Sequence, residues 1–235
     1  MAGHSRIAVL GDIHSPWFHP DCPKFVQAIE KKYSPDKWIS IGDEIDNHAI
    51  SYHEHDPNLP SPAVELEAAI KKMQWLYRLA PEMDILESNH GSLVYRKAKS
   101  AGLPKHVLKS YRDILQAPPG WKWHFELTQK MSDGNLVYFH HGKTGKQGSL
   151  SQTQSMCSVQ GHFHERFHIT YWANSKGLYW DCHTGCLIDW KSLAMVYAKN
   201  NLKRPIIGSL IIINGHPRLL PMILNRSGRW TGEML

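Results

Sequence analysis

Three short apolar runs punctuate the first part of the chain, and each stops at a polar cluster. Residues 6–10 (Arg6-Ile7-Ala8-Val9-Leu10) read as a buried strand that ends at Gly11-Asp12. Residues 37–41 repeat the pattern and end at Gly42-Asp43, and residues 83–87 end at Ser88-Asn89-His90. Between these runs the apolar spacing lengthens to that of a helix. Phe25, Val26 and Ile29 share one face over residues 21–32, with Asp21 placed to cap it. Ser61-Pro62 opens a longer helix reaching about Ala80, with serine at the cap and proline in the first turn. This alternation predicts an α/β fold with a mostly parallel sheet. In such sheets the working residues collect beyond the carboxyl ends of the strands.

Residues 95–116 read as helical, broken near 102–104, and Pro118-Pro119-Gly120 stops them. The character then changes. Apolar runs at 136–139, 157–159, 167–172, 178–182, 206–213 and 218–224 all have strand length. The polar stretch 149–155 reads as a helix start or a mobile loop. No repeat, low-complexity tract or linker divides the chain, so a single domain over residues 1–235 is expected.

Composition adds two points. Hydrophobic residues make up 42% of the 235, enough for a large core without disulfides. The net charge is +6, a balance that favours anionic partners. Its densest cluster is Arg96, Lys97 and Lys99, followed by Lys105 and Lys109; the plainer reading is a solubility charge spread over the surface. The N-terminal residues show no secretory pattern, and no apolar run reaches membrane-spanning length. A cytoplasmic protein with no membrane partner is therefore expected, its 4 cysteines reduced. Cys182 and Cys186 around His183 make at most half a zinc site and read as core or turn residues. Trp121, Trp123, Trp172, Trp180 and Trp190 read mostly as core.

The compositional anomaly is 16 histidines. Many fall in five clusters at predicted strand ends: Asp12-Ile13-His14, Gly42-Asp43-Glu44-Ile45-Asp46, Ser88-Asn89-His90, His140-His141-Gly142 and Gly161-His162-Phe163-His164. Each alone is a common turn. Together they offer carboxylate, amide and imidazole donors, which suit divalent metals of intermediate softness. Gly142-Lys143-Thr144 lacks the glycine a phosphate-binding P-loop needs, because that position is Val137.

In this order the motifs Asp12-x-His14, Gly42-Asp43-x-x-Asp46, Asn89-His90, His141-Gly142 and Gly161-His162-x-His164 resemble the calcineurin-like metallophosphoesterase family, over about residues 6 to 190. Small phage and bacterial members are the most similar in overall look. The resemblance implies a two-sheet β-sandwich flanked by helices, the αββα arrangement, and two divalent metal ions. Mn²⁺ is foremost, with Zn²⁺, Fe²⁺ or Ni²⁺ as alternatives. By the same resemblance Asp12, His14 and His164 hold one metal, Asn89, His141 and His162 the other, and Asp43 bridges them. His90 is implied as a catalytic acid and Asp46 as its support or that of a ligand. Gly91 departs from the family, which carries an acid after Asn-His; the departure implies either weaker acid catalysis or support of His90 by another acid, such as Glu44 or Asp46.

The implied activity is metal-dependent phosphoester hydrolysis through a hydroxide bridging the metals. The expected partner is a phosphoester substrate, foremost a nucleotide. A DNA nuclease and a catalytically weak nucleotide-binding module are the alternatives. His48, Tyr52, His53 and His55 are expected on the substrate rim, with Tyr52 stacking a base. Lys143, and Lys146 beyond it, are expected to reach a substrate phosphate.

Overall fold

The computed structural model describes residues 3–52, 55–198 and 202–234, so His53 lies outside the described residues. The first half runs β1 (Arg6–Leu10), α1 (Cys22–Tyr33), β2 (Lys37–Ser40), α2 (Pro62–Leu79), β3 (Glu82–Leu86), α3 (Leu93–Ser100), α4 (Tyr111–Leu115) and β4 (Gly120–His124). The second half runs β5 (Leu127–Lys130), β6 (Leu136–His140), α5 (Ser149–Gln154), β7 (Cys157–Gln160), β8 (Phe167–Asn174), β9 (Gly177–Thr184), β10 (Gly208–Ile213) and β11 (His216–Pro221).

Two mixed sheets result. One has the order β11-β10-β1-β2-β3-β4, with β1 to β4 parallel and β10 and β11 antiparallel. The other has the order β5-β6-β7-β9-β8, with β6, β7 and β9 parallel between antiparallel edges.

Strand alternation decides which residues fill which layer. Ile7, Val9 and Ile39 point between the sheets, where they meet Val137, Phe139 and Val159. Ala8, Leu10 and Trp38 point the other way, under α1 and α2, against Phe25, Ile29 and Met73. β1 is buried on both faces, which is why its sequence is apolar without a break. On the far side of the second sheet, α5 begins where Gly148 N donates to Asp181 of β9 (3.0 Å). The order of layers is helix, sheet, sheet, helix. No helix among the described residues is long and apolar enough to cross a membrane.

Several expectations shift. The helical stretch over 95–116 is broken as expected, into α3 and α4, but the break is wider than 102–104 and holds a 3-10 turn at Lys105–Val107. Ser149–Gln154 is helical rather than mobile loop, as α5. Strands β4 and β5 were not anticipated, because each is an edge strand with few buried positions. Ser61 does cap α2, accepting from Val64 N at 3.5 Å. Asp21 makes no cap hydrogen bond to α1. Its carboxylate accepts instead from the Arg229 guanidinium and from Trp230 N (2.9 Å). The stronger, charged partner wins the carboxylate.

Candidate metal centre

The parallel strands of both sheets deliver their carboxyl ends to one place. Asp12 and His14 follow β1, Asp43 follows β2, Asn89 and His90 follow β3, His141 follows β6, and His162 and His164 follow β7. Backbone bonds lace these loops: Ile13 N and His14 N both donate to the Asp43 carbonyl (3.1 and 2.8 Å), and Gly161 N donates to the His141 carbonyl (2.7 Å). Two motif glycines are required by close approach. A Cβ at Gly42, where φ is +109°, would lie 2.7 Å from His141 Nδ1. A Cβ at Gly161 would run into the Asp12 carboxylate. His14, Asp43 and His162 themselves hold left-handed backbone, with φ of 53°, 48° and 67°. Non-glycine residues adopt this at a cost of roughly 1–2 kcal/mol each, and such strain gathers where side chains must be aimed.

Two donor sets form. Asp12, His14, Asp43 and His164 bring ligand atoms within 4.8 Å of one another, and so do Asp43, His141 and His162. Asp43 belongs to both. Asn89 joins the second set, its Oδ1 lying 2.7 Å from His141 Nε2 and 3.1 Å from His162 Nδ1.

The donor chemistry fits divalent cations. His14 Nδ1 donates to Asp46 Oδ1 (2.8 Å), and His141 Nδ1 donates to the Ile41 carbonyl (2.9 Å). When neutral, as a metal ligand must be, each of these imidazoles keeps its one N–H at Nδ1 and turns an Nε2 lone pair inward. There it meets other lone pairs: His14 Nε2 lies 3.1 Å from His164 Nε2, and His141 Nε2 lies 3.3 Å from Asp43 Oδ2. Asp12 Oδ1 is fully buried and accepts no hydrogen bond. Buried acceptors without donors are costly unless a proton or a metal satisfies them.

The charges within the cluster also act on one another. Burial alone would raise Asp43, but His141, His90 and His14 outweigh it and hold the carboxyl well below its usual range. Burial works against protonation of His141, yet the Asp43 charge lifts it to about 9. Burial and the neighbouring His141 hold His162 below its ordinary value.

A third group, His14, Asp46 and His90, is a hydrogen-bonded chain built on Asp46. Asp46 Oδ1 lies 2.8 Å from His14 Nδ1 and 3.2 Å from His90 Nδ1, and the Asp46 carbonyl accepts from the same His90 nitrogen. A side chain at Gly91 would be tightly flanked. A Cβ would lie 3.0 Å from Ser88 Oγ and 3.2 Å from the Tyr111 hydroxyl. Of the two expected replacements, Asp46 reaches His90, whereas Glu44 turns to Trp123 Nε1 (2.8 Å). Burial raises Glu44 to about 7.

The rim differs from expectation in one residue. His48 is 2% exposed and packs behind the centre, Nδ1 3.7 Å from Asp46 Oδ2, so it is not on the rim. Its burial follows from Glu65 of α2, which accepts from His48 N, Ala49 N and Trp17 Nε1 and pulls this loop inward. Tyr52 is exposed and stands beside Lys97 and Arg96. His55 lies beside His48, with ring centroids 5.6 Å apart. Lys143 is exposed and passes over Phe125. Cys182 and Cys186 are buried free thiols in separate clusters.

Sequence reasoning missed Glu65 and the local role of Arg96, whose Nη2 donates to the Asn89 carbonyl (2.6 Å). Glu65 carried a signal: it shares the helix stripe of Ala69 and Met73, an acid where the apolar face continues.

No family model and no curated protein matches the sequence. Among solved structures, Vacuolar Protein Sorting 29 from Cryptosporidium parvum aligns over 99% of this chain and 95% of its own, with 11% identity and a TM-score of 0.51. Wild-type Vps29 from Entamoeba histolytica, complexed with Zn²⁺, aligns over 93% of each chain with 10% identity and a TM-score of 0.49. YfcE, a phosphoesterase from E. coli, aligns over 98% of each chain with 12% identity and a TM-score of 0.47. Its sheet order and full-length likeness to the Cryptosporidium protein show that the chain shares that protein's fold, a two-sheet sandwich flanked by helices in the αββα order.

Proposed function

We propose that this chain, acting as one domain over residues 1–235, is a divalent-metal-dependent phosphoester hydrolase of nucleotide substrates. The observation that carries this reading is the pair of largely buried donor sets sharing Asp43, in which Asp12 Oδ1 accepts no hydrogen bond and His14 Nε2 faces His164 Nε2. Asp12, His14 and His164 would hold one cation, Asn89, His141 and His162 the second, and Asp43 would belong to both. When bound, such cations supply Lewis acidity toward the phosphoryl group and the attacking water.

The remaining roles belong to the chain. Asp46 fixes both His14 and His90 by taking their Nδ1 hydrogens, so each ring is held in one orientation. His90 then keeps Nε2 for the substrate and delivers its proton to the departing oxygen as the P–O bond breaks. Neutral Asn89 adds a ligand without adding a negative charge.

The test is a matrix of metals and substrates. Protein stripped with a chelator is assayed with Mn²⁺, Zn²⁺, Fe²⁺ or Ni²⁺ against a model phosphodiester and a set of nucleoside monophosphates. Hydrolysis is expected only with metal, and metal analysis is expected to count two ions per chain. Folded protein that takes up no divalent ion, or hydrolysis that survives Asp43→Asn at the wild-type rate, would overturn the reading.

A further inference from the structure

Residues 88–112 carry six lysine and arginine side chains and no aspartate or glutamate, as much positive charge as the net +6 of the whole chain. They form α3, the turn at Lys105–Val107 and the start of α4, directly after the Asn89-His90 loop. Elsewhere three basic side chains meet acids among the described residues, in Lys37–Asp84 (2.5 Å), Arg166–Glu165 (3.6 Å) and Arg229–Asp21; what sets 88–112 apart is the density of its charge. Here, among the described residues, Arg112 approaches Asp113 only at 4.0 Å, and Arg96, Lys97, Lys99, Lys105 and Lys109 join no ion pair. Uncompensated like charges along one short segment repel one another and work against the compact state.

Two contacts tie this segment to the metal centre. Arg96 donates to the carbonyl of Asn89, which sets its guanidinium against the ligand loop. Arg96 and Lys97 also lie over the ring of Tyr52, 5.7 and 3.9 Å from its centroid. Tyr52 comes from the loop beyond Asp46 and stays 64% exposed. An exposed ring flanked by unpaired cations is the pairing that binds single strands, bases on the ring and phosphates on the cations. One phosphate needs one or two cations; a row of six matches a chain of phosphates.

We infer that residues 88–112 and Tyr52 seat a single-stranded nucleic acid whose backbone follows α3 into the metal centre. That the strand is also the substrate, a polynucleotide phosphodiester, rests on the hydrolase reading; the seat itself does not.

Binding therefore decides it, measured by fluorescence anisotropy with a labelled oligo(dT) and chelator present. With about five phosphates engaged, affinity should fall about 100-fold between 50 and 200 mM salt, a log–log slope near −3.5. Lys97→Glu, Lys99→Glu and Lys105→Glu combined should shrink that slope by about 2. Tyr52→Ala should weaken binding about tenfold. A control with the same charge change elsewhere, Lys24→Glu, Lys71→Glu and Lys176→Glu, should bind within a few-fold of wild type.

Equal losses in both triple variants would reduce the effect to net charge and overturn the seat. So would absence of binding at 50 mM salt, or capture by phosphatidylserine vesicles in preference to oligo(dT). Binding as described, with no hydrolysis under any metal, would keep the seat and remove the hydrolase reading. Mononucleotide hydrolysis without oligo(dT) binding would do the reverse.

Discussion

Asp21 and Asp12 are both buried aspartates at the start of loops or helices, and their surroundings could hardly differ more. Asp21 accepts from Arg229 through both oxygens and from Trp230 N (2.9 Å). It fastens the C-terminal segment to α1, where Trp230 stands edge-on to Phe25 with centroids 5.5 Å apart. Asp12 takes one hydrogen bond, from His162 N (2.7 Å), and its other oxygen takes none. Its neighbours are imidazole nitrogens and the Asp43 set, arranged on strained backbone. A buried acid whose acceptors are all met acts as a fastener. A buried acid left short of donors, among others equally short, marks a place for something added.

The largest effect should come from Asp43→Asn. Metal uptake should fall, and turnover should drop on the order of 10³-fold, since every catalytic group depends on the shared ligand. Metal analysis and a steady-state assay check this; wild-type metal content and turnover would remove Asp43 from both donor sets.

His90→Ala should lower turnover about 10²- to 10⁴-fold while metal content stays at the wild-type value. Metal analysis of that variant separates a proton donor from a ligand, and loss of one ion would reassign His90.

Adding metal to the chelated protein at about 1,000 times its dissociation constant contributes about 4 kcal/mol. That should raise the melting temperature by on the order of 10 °C, and by much less in Asp43→Asn. A rise of equal size in both proteins would place the ions elsewhere.

The smallest effect is Asp21→Asn, a drop of a few degrees with metal binding untouched. Its pH dependence follows from the Arg229 hydrogen bonds, which hold the Asp21 carboxyl well below its usual range. A depressed acid stabilises fully above its unfolded pKa and loses that stabilisation as pH falls through the folded value. The gap in melting temperature between wild type and Asp21→Asn should therefore be constant from neutral pH down to about 4 and close below it. A gap that widened in acid would contradict the clasp.

Much of the candidate metal centre could be read from the chain because its parts are local. An apolar run that stops at Asp12, Asp43 or Asn89 announces a strand end and a donor in the same few residues. Other features depend on partners far along the chain. Asp21 looks like a helix cap until Arg229, 208 residues away, takes its carboxylate. His48 looks like a rim residue until Glu65 draws its backbone inward. Gly91 looks like a lost acid until Tyr111 is seen beside it and Asp46 beneath His90. The edge strands Gly120–His124 and Leu127–Lys130 bury too few side chains to print an alternation.

The amino-acid sequence alone determined the order of the buried strands, the α/β class and the types of donor at each strand end, because burial period and ligand chemistry are properties of a few consecutive residues. Only the tertiary structure decided that Asp12 and His162, 150 residues apart, share a hydrogen bond, that Asp43 serves two donor sets, and that Arg96 reaches back to the Asn89 carbonyl. Convergence of that kind is set by how two sheets pack face to face, and no local pattern encodes it.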